Sequence, residues 1–261
     1  MYEILFSCTT DKGKKRKINQ DNIVCHHTYL NYREKNNYCH ENSRIYLQHP
    51  VMFGIFDGLG GEQCGKIASF IAAREAAQLN FDHDISLVLM DYIRKANRKI
   101  GDFALSNGIA SMGTTVALSV FHKKKAYFCN IGDSKIFLLQ NDRLVQLSKD
   151  HVSQVPYGMK APLTQCLGIP EETLTLEPHF FTMQLQKESV FLLCSDGLTD
   201  MVELSEITAI LTAETPESAS EMLVQRALEH GGADNVSVII CKVVRKKLFQ
   251  NRKEGTENDS R

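Results

Sequence analysis

The sequence predicts an α+β fold in which antiparallel sheets carry helices grouped on their outer side. Three observations predict it. The apolar patterning reads as strands, two helices, strands, two helices and a last strand. Successive strands in the middle of the chain are joined by short polar turns, "HKKK" at 122–125 and "QNDR" at 140–143, which favour antiparallel neighbours. No linker or internal repeat divides the 261 residues, a length that alone suits one large domain or two small ones.

Taken in order, "EILFSCTT" (3–10) and "NIVCHHTYL" (22–30) are short strand-like runs around the polar segment 11–22. Residues 31–50 are polar and patternless, a loop or ragged hairpin. "VMFGIF" (51–56) is an apolar run of buried-strand length. Residues 64–79 place Ile67, Phe70, Ile71, Arg74, Ala77 and Gln78 at helical spacing. Residues 84–106 do the same through Ile85, Leu89, Tyr92, Ile93, Ala96, Ile100 and Phe103. "TTVALSVF", "KAYFCNIG" and "KIFLLQNDRLVQL" follow as successive antiparallel strands. "SVFLLCSDG" (189–197) is another buried strand. "LSEITAIL" and "ESASEMLVQRALEHG" are helices, the second stopped at Gly231-Gly232, and "NVSVIICKVV" closes the pattern. The charged tail 246–261 is too poor in apolar residues to pack, so disorder is expected there.

Composition excludes several classes. Hydrophobic residues are 43% and charged residues 23%, with 30 basic against 31 acidic side chains, so no global field favours nucleic acid or acidic lipid. The eight cysteines form no CxxC pair and several lie in apolar runs, which points to reduced thiols. No apolar run approaches the roughly 20 residues of a membrane span. The N-terminus lacks the basic-then-apolar order of a signal peptide. A cytoplasmic protein with no nucleic-acid or membrane partner is expected, and a monomer.

The chemistry is announced by recurring acids. "FGIFDGLGG" and "FLLCSDGLTD" both end an apolar strand on Asp-Gly, at Asp57 and Asp196. Asp234 in "GGADNVSV" and Asp21 in "INQDNIV" each stand just before a strand. Clustered carboxylates repel unless a cation neutralises them, and hard Mg²⁺ or Mn²⁺ ions prefer such oxygens. Gly58, Gly60 and Gly61 bare the backbone beside Asp57, which frees a carbonyl as a ligand and admits a substrate. Arg16, in "GKKRKINQD", stands five residues before Asp21, a placement suited to bidentate phosphate binding.

Seven motifs in order, "RKINQD" (16–21), "FDGLGG" (56–61), "MGTT" (112–115), "IGDSK" (131–135), "KDH" (149–151), "SDGL" (195–198) and "GADN" (232–235), resemble the bacterial type-2C metal-dependent serine/threonine protein phosphatases, the PPM family. The resemblance implies a four-layer αββα sandwich, two antiparallel β-sheets flanked by helix pairs, with a binuclear metal site at one edge. It implies a single domain over 1–245 that hydrolyses phosphoserine and phosphothreonine in proteins with metal-activated water. A phosphorylated protein, a kinase or kinase target, would be the partner. Asp57 would bridge two Mn²⁺ or Mg²⁺ ions, the Gly58 carbonyl would complete one, and Asp196 and Asp234 would bind the other. Asp21 would act through metal-bound water, Arg16 would hold the substrate phosphate, and Gln20 and Asn235 would support the ligands, Asn235 by orienting Asp234 or a water. "MGTT" and "IGDSK" would build the sheet below, and His151 would cap a loop. The alternative is a non-catalytic module of the same fold that binds a phosphoprotein.

Departures from the family pattern shape these expectations. Leu59 stands where some relatives carry a histidine. Ala110 stands where many carry an acid for a third metal, so no third ion is expected. Lys135 replaces an arginine and Gln20 a glutamate. The flap around 152–170 is shortened.

Overall fold

The computed structural model describes residues 2–33, 38–156, 161–170 and 172–245, with the backbone alone at Glu62. The strands are β1 (Tyr2–Asp11), β2 (Asn22–Cys25), β3 (Thr28–Tyr29), β4 (Tyr38–Tyr46), β5 (Val51–Phe56), β6 (Gly58–Leu59), β7 (Gly113–Thr114), β8 (Val116–His122), β9 (Lys125–Ile131), β10 (Lys135–Gln140), β11 (Arg143–Gln146), β12 (His179–Gln184), β13 (Val190–Cys194) and β14 (Val236–Arg245). The helices are α1 (Glu62–Ala77), α2 (Ile85–Ser106), the single turn α3 (Asp196–Thr199), α4 (Leu204–Ala213) and α5 (Pro216–Glu229). Among the described residues no helix is long and apolar enough to cross a membrane.

Two six-stranded sheets stack face to face. One has the order β11-β10-β13-β14-β1-β4 and the other β12-β9-β8-β5-β2-β3, and every pairing within them is antiparallel. Between them lies a core of Phe6, Phe53, Phe121, Phe128 and Phe191 with Ile4, Ile55 and Ile239. Phe121 and Phe191 meet at 5.3 Å in an edge arrangement, which suits the ring quadrupoles. The outer face of the second sheet is covered by α1 and α2, and that of the first by α4 and α5. The result is the four-layer sandwich that the sequence leads one to expect, because strands with two apolar faces require cover on both sides.

Two elements run where the apolar pattern marks no strand, although a ragged hairpin is one reading of 31–50. β4 occupies part of the polar stretch 31–50, and β12 precedes the "SVFLLC" strand. Both are edge strands with much of their surface in solvent, so neither carries an apolar run. The "SDG" acid also begins a turn of helix rather than ending a strand. The tail 246–261, expected to be disordered, lies outside the described residues.

Register carries the acids to one end. β1 pairs with β14 over its whole length, from Tyr2 opposite Arg245 to Asp11 opposite Val236. That pairing sets the loop after β1, which holds Arg16, beside Asp234. β13 ends at Cys194 opposite Val238, so Asp196 emerges at the same end. β5 runs to Phe56 opposite Asn22 in the other sheet, placing Asp57 next to Asp21 in sequence-distant but adjoining strands.

Candidate metal centre

A cleft of about 590 Å³ opens at this end, lined by Arg16, Gln20, Asp57, Gly58, Leu59, Gly60, Gly61, Asp133, Ala161, Pro162, Leu163, Asp196, Asp234 and Asn235. Every sequence-predicted site residue except Asp21 therefore faces one space. A larger cleft of about 770 Å³ lies at the opposite end, beside Tyr2 and Arg245, and its lining includes Lys123 and Lys124 but no acid.

Asp57 is fixed by its backbone. Its carbonyl accepts from the Thr114 hydroxyl and the Thr115 N–H, both at 2.9 Å, and its own N–H donates to Thr115 Oγ1 at 3.0 Å. Thr115 Oγ1 is in turn 2.6 Å from Ser134 Oγ. "MGTT" and "IGDSK" thus hold Asp57 from beneath. A Cβ on Gly58 would come within 2.2 Å of the Gly65 carbonyl oxygen and 2.7 Å of that of Gln20, so only glycine fits between the first turn of α1 and the Arg16 loop.

Asp21 is buried, at 3% exposure, and does not line the cleft. Its Oδ2 accepts from Ser195 Oγ at 2.9 Å and Ser237 Oγ at 2.7 Å. Ser237 Oγ also lies 2.7 Å from Thr10 Oγ1, which accepts from Asn19 Nδ2 at 2.8 Å. With Ser237 donating to Asp21, Thr10 must donate to Ser237, so the chain of donors points at the carboxylate. Asp21 Oδ1 is buried with no hydrogen-bond partner among the described residues. Burial pushes the Asp21 carboxyl up to about 7, the two serines pull it back, and Asp196 and Asp234 add repulsion. Asp57 keeps part of its surface in the cleft, yet its carboxyl is held well above the usual carboxylate range, first by burial and then by Asp21, Asp196, Asp133 and Asp234.

Arg16 donates from Nη2 to Asp234 Oδ2 at 2.7 Å. That bond strengthens its hold on its proton, aided by the fields of Asp57 and Asp196. Asn235 supports both the Arg16 loop and Asp234, whose Oδ1 accepts from the Asn235 backbone N–H at 2.8 Å. Asn235 Nδ2 donates to the carbonyls of Lys12 and Ile18 at 2.8 and 2.9 Å, and its Oδ1 accepts from the Gln20 N–H at 2.9 Å. Gln20 Nε2 donates to the Gly61 carbonyl at 2.8 Å, tying the same loop to the start of α1. As the side chains lie, no three Asp, Glu, His or Cys groups among the described residues close around a metal-sized point, and Asp234 is turned toward Arg16.

The model of the family described as protein phosphatase 2C matches residues 15–156, more than half of the chain. The protein phosphatase PhpP of Streptococcus pneumoniae is 30% identical over 258 residues, covering 91% of this chain and 96% of its own. The chain belongs to the protein phosphatase 2C family. The serine/threonine phosphatase stp of Listeria welshimeri is 28% identical over 95% of this chain and 98% of its own. A crystal structure of the catalytic domain of the serine threonine protein phosphatase PstP, in complex with two manganese ions, superposes with a TM-score of 0.76 at 23% identity, over 94% of this chain and all of that one. That likeness carries the fold.

Membership makes the chain a protein phosphatase, and the cleft carries its motifs with two surprises. Asp133 of "IGDSK" faces the cleft from the turn between β9 and β10. A signal was present, since "KAYFCNI" also ends at a glycine and an acid, but with Gly132 first the Asp-Gly signature is reversed. Ala110, the ground for expecting no third ion, is exposed and is not among the residues that line the cleft. Of the remaining motif residues in this protein phosphatase 2C chain, Lys135 Nζ pairs with Asp150 Oδ2 at 2.7 Å below the site. His151 Nδ1 accepts from the Gly132 N–H at 3.1 Å, capping the turn that presents Asp133. Burial lowers the His151 pKa, and burial pushes the Cys194 thiol up to about 12, which leaves it inert beside Asp196. Of the flap region, 152–156 and 161–170 are described and Ala161, Pro162 and Leu163 form one edge of the cleft, while 157–160 lie outside the described residues.

Proposed function

We propose that this cleft hydrolyses phosphoserine and phosphothreonine in proteins with the help of two divalent cations, Mn²⁺ or Mg²⁺. The observation that carries the reading is the gathering of Asp57, Asp196, Asp234 and Asp133 with Arg16 in one cleft over buried Asp21. The donor set fits a hard cation. It is all oxygen, the neighbouring acids push the carboxyls of Asp57 and Asp21 up, and Asp21 keeps a buried oxygen without a hydrogen-bond partner among the described residues. Asp57, the Gly58 carbonyl, Asp196 and Asp234 would hold the ions, with Asp21 behind them and Asp133 adding charge. When bound, such a pair supplies Lewis-acid polarisation of the phosphate and a nucleophilic water at neutral pH.

The chain's own groups supply the rest. Arg16, half exposed and tethered through Asp234, can swing its guanidinium fork onto the phosphate oxygens and offset charge that builds in the transition state. Asn235 and Gln20 hold the Arg16 loop against α1, so its reach is set before substrate arrives. Leu59 has no proton to give, so the leaving oxygen is protonated by solvent in the cleft. The single domain over 1–245, a cytoplasmic location, a monomeric state and a kinase or kinase target as partner belong to the same reading. Curated relatives named as phosphatases give no support to a non-catalytic module.

A phosphothreonine peptide incubated with the full chain tests this. Phosphate release should need Mn²⁺ or Mg²⁺ and stop on adding chelator, and Asp57→Asn should lower kcat by about 10²-fold or more. Turnover that ignores chelator, or an Asp57→Asn protein of full activity, overturns it.

A further inference from the structure

Asn97 is a polar side chain on the buried stripe of α2, among Ile93, Ala96 and Ile100, and is itself only 3% exposed. A buried amide in such surroundings is tolerated only when its groups are bonded. Both are. Asn97 Oδ1 accepts from the Gly168 N–H at 2.7 Å, and its Nδ2 donates to the Ile169 carbonyl at 2.9 Å, across some seventy residues of chain. The segment so held is one stem of the cleft edge formed by Ala161, Pro162 and Leu163. The other stem is fastened separately. Val152 bridges Leu163, the Ser153 N–H donates to the Pro162 carbonyl at 2.9 Å, and the Thr164 N–H to that of His151 at 2.8 Å.

The Asn97 stem has little freedom of its own. Gly168 has φ +100°, and a Cβ there would come within 2.3 Å of the Met112 carbonyl oxygen. Leu167 exchanges two backbone bonds with Thr114, at 2.9 and 3.1 Å. Loss of the Asn97 amide would leave the Gly168 N–H and Ile169 carbonyl unpaired in a part-buried place, and the stem would have to move to find water.

We propose that Asn97, an outer-layer residue remote from the acids, is a positioning residue that holds the 161–163 edge of the cleft and so sets how tightly the polypeptide around the phosphorylated residue is bound. This rests on the phosphatase reading of the cleft. The edge carries no charge and no general acid, so its contribution is to contact with chain flanking the phosphate, not to the chemical step.

The test compares the wild type, Asn97→Ala and Asn97→Leu as full chains with Mn²⁺, on a phosphothreonine peptide and on p-nitrophenyl phosphate. The leucine variant suits the apolar stripe and keeps the same branched skeleton of heavy atoms, so it decides the matter if the alanine protein does not fold. The expected result is a rise in peptide KM of about fivefold to tenfold with kcat moving less than about twofold, and a smaller KM change for p-nitrophenyl phosphate. A fall in kcat with KM unmoved, equal KM changes on both substrates, or no change overturns the proposal. A wild type that turns over neither substrate sinks the phosphatase reading and this proposal with it, whereas an active wild type with unaltered variants sinks this proposal alone.

Discussion

Arg16 and Asp234, 218 residues apart in the chain, meet in an ion pair at 2.7 Å that joins the loop after β1 to the loop before β14. The pair is open to solvent, with 48% and 23% of the two side chains exposed. Screened pairs of this kind contribute at most about 1 kcal/mol to folding. Arg16→Ala should therefore barely move Tm while lowering kcat/KM on a phosphopeptide by about 10²-fold. Arg16→Lys should recover only part of the loss, because an ammonium lacks the planar fork. Thermal melts and steady-state kinetics on the same preparations check both halves.

Asp21 predicts an unusual pH slope in metal-free protein. Its folded pKa is raised, to about 7 against an ordinary 3.8, so the folded state binds this proton more tightly than the unfolded one. The resulting stability is full below the unfolded value and is lost as pH rises through the folded one. Between pH 4 and 7, wild type should lose on the order of 1 kcal/mol per pH unit relative to Asp21→Asn. Urea melts of the two proteins in chelator across that range measure it; parallel pH profiles would contradict the assignment.

Cation binding should carry a proton signature. Asp21 and Asp57 both hold protons more firmly than ordinary carboxylates, and ligand carboxylates must be ionised. Mn²⁺ affinity should rise as pH increases toward 7, with proton release. Calorimetry in two buffers of different ionisation enthalpy would expose that release as a difference in apparent heat.

Ser237 should matter without touching substrate. Ser237→Ala removes one of two hydroxyl donors to Asp21 Oδ2 and leaves Thr10 without its acceptor. A cost of about 1–3 kcal/mol in unfolding free energy is expected, with the Asp21 titration moved further up. Chemical denaturation at pH 6 and pH 8 should show the larger cost at pH 8, where the unsupported charge is present.

Gly197 admits no side chain. A Cβ there would lie 1.9 Å from the Asn235 carbonyl oxygen. Gly197→Ala should displace the Asp234–Asn235 loop, lowering Tm and Mn²⁺ affinity together. A variant with wild-type metal binding would show that the two loops can part without harm to the site.

Much of this was legible in the chain. "VMFGIF", "FLLC" and "NVSVIICKVV" are strands because uninterrupted apolar runs of that length satisfy two buried faces at once. α2 is legible from its stripe, and at its start Asp84 accepts from the N–H groups of Ser86 and Leu87. The four acids were legible from their recurrence beside strands. β4 was legible only as one of two alternatives and β12 not at all, because an edge strand half in water needs no apolar pattern and draws its hydrogen bonds from a neighbour far away in sequence. Asp133 was hidden by the order of two letters, and Asn97 by sitting in a helix as any surface amide would.

By itself, then, the sequence determined which residues prefer strand, helix or turn, which positions carry acids, and which family the motifs resemble, since those depend on windows of a few residues. Only the tertiary structure decided that Asn235 braces the Arg16 loop, that Asp21 lies beneath the cleft with its donors aligned, and that Asp133 joins Asp57. The reason is physical. Burial and electrostatic coupling are properties of the space between segments, and that space exists only once β1 has zipped along β14 and β5 has paired with β2.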